Sequence, residues 1–208
     1  MKCGLLALLL LMPMLGWADD VALTEVLAHI RHGGPAKFQY RESRRMELVA
    51  EPVQAQGYML TDADGTLVKL QLQPSRVIMA IAGQSMFYWD PAQKQRHVAP
   101  LGYGGAAAQQ IEVFRSVLQG RVDELQAVYD FSAESHDRQW LLRLTPKPEQ
   151  GDRTPPLIEI SGDADDGKRK LLIRQADGEE TEYLIVKVSE EQAGDHTIAA
   201  LLREATGD

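Results

Sequence analysis

Between Gly57 and Pro100 apolar and polar residues alternate, and the alternation is interrupted at short intervals by turn-forming residues. Val68, Leu70 and Leu72 are apolar while Lys69, Gln71 and Gln73 are polar, the period of two expected of an antiparallel strand with one buried face. Asp64-Gly65 supplies the positive φ of a tight hairpin, Pro74 cannot donate a ladder hydrogen bond, and Ala82-Gly83 and Asp90-Pro91 open further turns. The pattern predicts strands over 53–60, 66–73, 76–81, 84–89 and 95–99. Upstream, Phe38 and Tyr40 share one side of another strand, and the charged run Arg41 to Arg45 predicts a hairpin end or exposed bend.

Elsewhere the period becomes helical. Leu23, Val26, Leu27 and Ile30 fall on one face of residues 20–32, with Gly33-Gly34-Pro35 as the stop. Ile111, Phe114, Val117 and Leu118 form a second stripe within 106–118, after the flexible run Leu101-Gly-Tyr-Gly-Gly, and 121–127 reads as one more short helix. Strands follow at 128–132, 139–144, 157–161, 170–174 and 182–188, with turns at 163–167 and at Asp177-Gly178. A terminal helix over 195–205 carries Ile198, Leu201 and Leu202. Ten or eleven strands joined mostly by short turns, with two to four helices, predict a mainly β protein with α. Its large antiparallel sheet curls into an unclosed half β-barrel, and the helices cover the open side.

The first residues stand apart from this domain. Met1-Lys2 is a basic start, residues 3–16 are almost uninterruptedly apolar, and Gly16-Trp17-Ala18 places small residues three before and one before a cut. This is the pattern of a secretory signal peptide over 1–18, cleaved after Ala18, leaving one domain over 19–208 with 189–208 as a C-terminal extension. Export to the periplasm is the expected destination. Cys3 is the one cysteine and lies inside the apolar run, so the mature chain is expected to have no disulfide and to rely on its packed core. A formal net charge of −8 argues against a nucleic-acid partner.

Candidate chemistry is sparse. His29 and His32 have a chelating spacing without a third ligand, and read as a polar surface pair at a helix end. Gly102 to Gly105 lacks the Gly-Lys-Ser/Thr ending of a phosphate loop and reads as a hinge. Asp163, Asp165 and Asp166 lack the glutamate that closes a calcium loop, and no serine stands in Gly-x-Ser-x-Gly. The expectation is a binding protein with no metal, cofactor or catalytic residue; a carboxylate-based hydrolase is the lesser alternative. Methionines and broad rings in the strands fill a β core, or suit a cavity for flexible apolar ligands.

Two motifs, in this order, carry a family resemblance: Gly83-Gln-Ser-Met-Phe-Tyr-Trp-Asp-Pro91, and Trp140-Leu-Leu-Arg-Leu-Thr-Pro146, preceded by Gly57-Tyr-Met-Leu60. Over 21–188 the chain resembles the LolA-like family of periplasmic lipoprotein carriers. Glu42, Arg44, Met46 and Pro52 place it nearer the family's divergent branch. The resemblance implies an unclosed barrel with a helical lid over an apolar cavity that holds acyl chains. Phe38, Tyr40, Met59, Val68, Leu70, Met79, Met86, Trp140 and Leu142 are then candidates for the cavity wall, and Ile111 and Phe114 for the lid. It also implies a monomeric carrier whose client is an acylated lipoprotein or another lipid or amphiphile, taken from an inner-membrane donor toward an outer-membrane acceptor. A lipid- or protein-sensing module that regulates a partner is the alternative. Where the main carriers have a lid-latching arginine, this chain has Thr61-Asp-Ala-Asp-Gly65, so no such latch carries over.

Overall fold

The computed structural model describes residues 17–30, 34–47, 49–101, 105–148, 155–164, 167–192 and 194–207. Six strands form a first meander: β1 (Ala36–Arg45), β2 (Val53–Thr61), β3 (Leu67–Gln73), β4 (Val77–Ala82), β5 (Ser85–Asp90) and β6 (Gln95–Pro100). Five form a second: β7 (Tyr129–His136), β8 (Gln139–Pro146), β9 (Leu157–Asp163), β10 (Lys168–Arg174) and β11 (Glu180–Val188). The meanders join through β1 and β11 into one eleven-stranded antiparallel sheet, ordered β6-β5-β4-β3-β2-β1-β11-β10-β9-β8-β7. β6 and β7 are its edges, and the sheet does not close into a barrel. This is the expected fold class.

Helix α1 (Trp17–Ile30) precedes the sheet, α2 (Gly105–Leu118) and a 3-10 helix (Val122–Ala127) connect its halves, and α3 (Ile198–Thr206) ends the chain. The predicted leader up to Gly16 lies outside the described residues, as do His32, Gly33, Gly102 to Gly104, Asp165 and Asp166. Val26 and Ile30 are fully buried, so the apolar stripe of α1 is the one that packs. Thr197 caps α3, its Oγ1 accepting from the Ala200 amide, and Gly207 ends the helix at φ 86°.

One expectation fails. Arg41 to Arg45 is no bend: β1 runs straight through it, paired on both sides, Arg41 opposite Leu184 and Gln56, Arg44 opposite Thr181 and Val53. Glu42 and Arg44 point to the same face as Phe38 and Tyr40, where ion pairs take the place of apolar packing. Gly57 marks the other irregularity. The β2–β3 register shifts between Gln56 and Gly57, and a Cβ at Gly57 would stand 2.0 Å from the Leu70 carbonyl oxygen. Only glycine lets the two backbones approach so closely there.

Candidate functional site

Alternation along each strand sorts the side chains onto two faces, and each face has its own apolar cluster. The larger cluster gathers Phe38 and Tyr40 from β1, Met59 from β2, Leu67 from β3 and Ile81 from β4 with residues of β7 to β11. It is covered by Val26 and Ile30 of α1 and by Ile111, Val113, Phe114, Val117 and Leu118 of α2. Phe114 is fully buried, its ring standing edge-on to Tyr183 with centroids 4.5 Å apart. Two candidate wall residues, Met79 and Met86, are partly buried and pack against the same cluster. Seven of the nine wall candidates, Phe38, Tyr40, Met59, Met79, Met86, Trp140 and Leu142, are therefore brought together, under the two lid candidates Ile111 and Phe114.

Val68 and Leu70 are not among them. They belong with Leu60, Ile78 and Ala80 to the second cluster, on the opposite face, beneath Leu201 and Ala205 of α3. That helix is held by Arg76, paired with Glu204 at 2.6 Å, and by Arg96, which lies over the Trp89 ring and donates to the Ala205 carbonyl at 2.9 Å. In β3 it is Leu67 and Lys69, not Val68 and Leu70, that face α2.

Lys69 is the residue that sequence reasoning missed. Its ammonium sits within the covered face, 2.6 Å from Glu42 Oε2, 3.4 Å from the Tyr183 hydroxyl and 5.1 Å from the centroids of both the Tyr40 and Tyr183 rings. Both side chains of the ion pair are only 8% exposed. Burial lowers the lysine's pKa, with Glu42 opposing the shift. The signal was legible only as a lysine breaking an otherwise apolar run, Leu67-Val-Lys-Leu70.

Arg169 of β10 ties both covering helices to the sheet. It donates to the Val117 carbonyl near the end of α2 and to the Ile30 carbonyl at the end of α1, each at 3.4 Å. A cation at two helix C-termini complements both dipoles.

The same face holds polar atoms with no hydrogen-bond partner among the described residues: the Tyr40 and Tyr129 hydroxyls and the Trp140 indole nitrogen. Burial pushes the Tyr129 hydroxyl up to about 12 and, with the Glu42 carboxylate nearby, raises Tyr40 and Tyr183 well above the ordinary phenol value. A phenol that ionises later in the folded state than in the unfolded one contributes stability in full below pH 10, lost as pH climbs through the folded value. Tyr129 contributes its share of this loss between pH 10 and 12. Alkaline unfolding is therefore expected in that window, with tyrosinate absorbance from the buried rings rising together with the loss of sheet circular dichroism. Smooth ionisation of all tyrosines near pH 10 in folded protein would contradict it.

Among the described residues no group of three or more His, Cys, Asp or Glu is arranged to hold a metal ion, and no helix is long and apolar enough to cross a membrane. No protein-family model matches the chain, and no curated protein matches it. Among solved structures it is similar to a LolA superfamily protein from Nitrosomonas europaea, at 10% identity and TM-score 0.42, over 84% of this chain and 96% of that one. A putative outer membrane lipoprotein-sorting protein domain from Vibrio parahaemolyticus matches at 11% identity and TM-score 0.45, over 88% of this chain and 97% of that one. MucB, solved in complex with MucA(peri), matches at 17% identity and TM-score 0.39, over 86% of this chain and 60% of that one.

Proposed function

We propose that this chain is a periplasmic carrier that shelters the acyl chain of a lipoprotein, or of another amphiphile, between the sheet and helices α1 and α2. The observation that carries the reading is the covered face itself. Nearly every strand contributes apolar side chains to it, and its cover consists of helices outside the sheet, one on each side of the first meander in sequence. A flexible acyl chain and the apolar stripe of α2 are then competitors for the same surface. Burial is worth roughly 0.8 kcal/mol per CH₂, so ten methylenes supply about 8 kcal/mol, and displacing Ile111, Phe114 and Val117 returns much of that to water. The exchange is near balance, which suits a protein that must both load and unload. The unpartnered donors on Tyr40, Tyr129 and Trp140 suit the ester or amide carbonyls of such a ligand. The signal-peptide pattern and the two family motifs agree with this role and compartment.

The test is mass spectrometry of solvent extracts from protein purified from its own compartment without detergent, beside a Met86→Glu variant. Met86 is partly buried on the covered face near one edge of the sheet, so a charge there spoils the wall with less damage to the core than one at Leu70, which is fully buried beneath α3. A stoichiometric acylated compound in the parent, and at least tenfold less in the variant, is the expected result. A folded parent that is empty would sink the carrier reading in favour of a module that senses a protein.

A further inference from the structure

A cavity of about 750 Å³ opens on the sheet's other face, and its lining crosses six adjacent strands, β1, β11, β10, β9, β8 and β7. It lies clear of α3, which packs on β3 to β6. At about 4.8 Å per strand the groove is about 24 Å long. The volume falls within the range of small-molecule sites. We propose that this groove is a second binding site, for a single-chain amphiphile with an anionic head.

Two observations select that chemistry. Apolar side chains stand on the solvent side: Leu184 is 47% exposed, Val186 follows two residues later on β11, and Leu141 lies further along on β8. Cationic side chains collar the β11 pair. Arg41 is opposite Leu184 on one side and Lys170 on the other, and Lys168 is opposite Val186. Of the groove's two carboxylates, Glu134 stands on β7 at the far end and Asp163 on β9, one strand beyond Lys168 and two strands from Leu184; each lies within 3.9 Å of an arginine, Asp163 with Arg138 and Glu134 with Arg143. Lys170 is paired with Glu182 at 2.6 Å, while Arg41 makes no ion pair among the described residues. On a chain with a net charge of −8, an apolar strip bordered by cations is a local reversal of sign. It attracts an anionic head while the strip, with the methylene stems of the lysines and arginine, takes the chain.

Gly162 keeps the groove's floor in place. A Cβ there would stand 2.6 Å from the Trp140 ring and 2.9 Å from the Lys168 carbonyl oxygen, so the ring on the covered face packs directly against the bare backbone.

The proposal does not rest on acyl binding under the helices, and methyl-resolved NMR separates the two sites because neighbouring residues of one strand serve opposite faces. The probes are decyl phosphate, decyl maltoside and inorganic phosphate, all below micelle-forming concentration. Decyl phosphate is expected to shift the methyls of Leu184, Val186 and Leu141. Leu184→Glu, at a half-exposed position that tolerates the change, is expected to weaken it at least tenfold, and Arg41→Gln about threefold without affecting decyl maltoside. Met86→Glu is expected to leave these shifts intact. Shifts confined to Leu142, Ile160 and Ile173, which belong to the covered face and do not line the groove, or unchanged affinity in Leu184→Glu, would overturn the second site. Inorganic phosphate binding as tightly as decyl phosphate would overturn the amphiphile in favour of a simple anion.

Discussion

Lys69→Met is expected to lower the stability of the folded protein by about 3 kcal/mol, read as a shift in the denaturation midpoint at constant slope. The methionine fills the space of the lysine stem and packs well between the rings of Tyr40 and Tyr183. What it removes is the cation 2.6 Å from a carboxylate that is itself almost inaccessible to water. Glu42 retains the Tyr183 hydroxyl as a hydrogen-bond donor and Arg44 at 3.7 Å, partly exposed, which compensate in part and keep the loss at the lower end for a broken buried pair. Adding Glu42→Gln to Lys69→Met is expected to restore most of the stability, because the desolvated charge is then gone as well. A double variant no better than the single one would mean that the lysine acts through packing and not through charge. The pair links β1 to β3 across β2 at the cost of desolvating both charges.

Phe114→Ala is expected to have the second large effect, about 3 kcal/mol, from the removal of a fully buried ring and its edge-on contact with Tyr183. The effect should be local. Amide exchange over residues 111–118 is expected to accelerate on the order of a hundredfold, while β10 and β11 keep their protection. If α2 competes with an acyl chain for the sheet, weakening its grip raises acyl occupancy in the same variant, whereas most substitutions on the covered face lower it. Equal acceleration in helix and sheet would show that α2 belongs to the global folding unit and does not act as a lid.

The strands were legible because their turn residues and alternation agree, and the apolar stripes of α1, α2 and α3 are those that pack. Two misreadings share one cause. Period two assigns residues to faces but does not say which face lies under which helix, and it treats a charged residue as solvent-facing. Glu42, Arg44 and Lys69 break that rule together, each making a partner of another, so β1 looked like a bend after Tyr40. In β3 the alternation put the apolar set on Val68 and Leu70, which is correct, and the sheet there is covered on both sides. The lysine marked the wrong side as wet. Arg169 and the groove on the far face were invisible for a different reason, since each depends on strands brought side by side from distant parts of the chain.

That joining has a consequence for how the molecule forms. β1 and β11 are the middle of the sheet in space and its two ends in sequence, Lys37 facing Val188. Either meander can assemble from nearest-neighbour hairpins as soon as its own residues are available, but each then waits with an open inner edge. The pairing that unites them closes a loop of almost the whole domain, the slowest kind of contact a chain can make. Until it is made, β1 exposes an unpaired edge that carries Phe38 and Tyr40 on one side, which is the interval in which this protein is most open to aggregation or to capture by a holding chaperone.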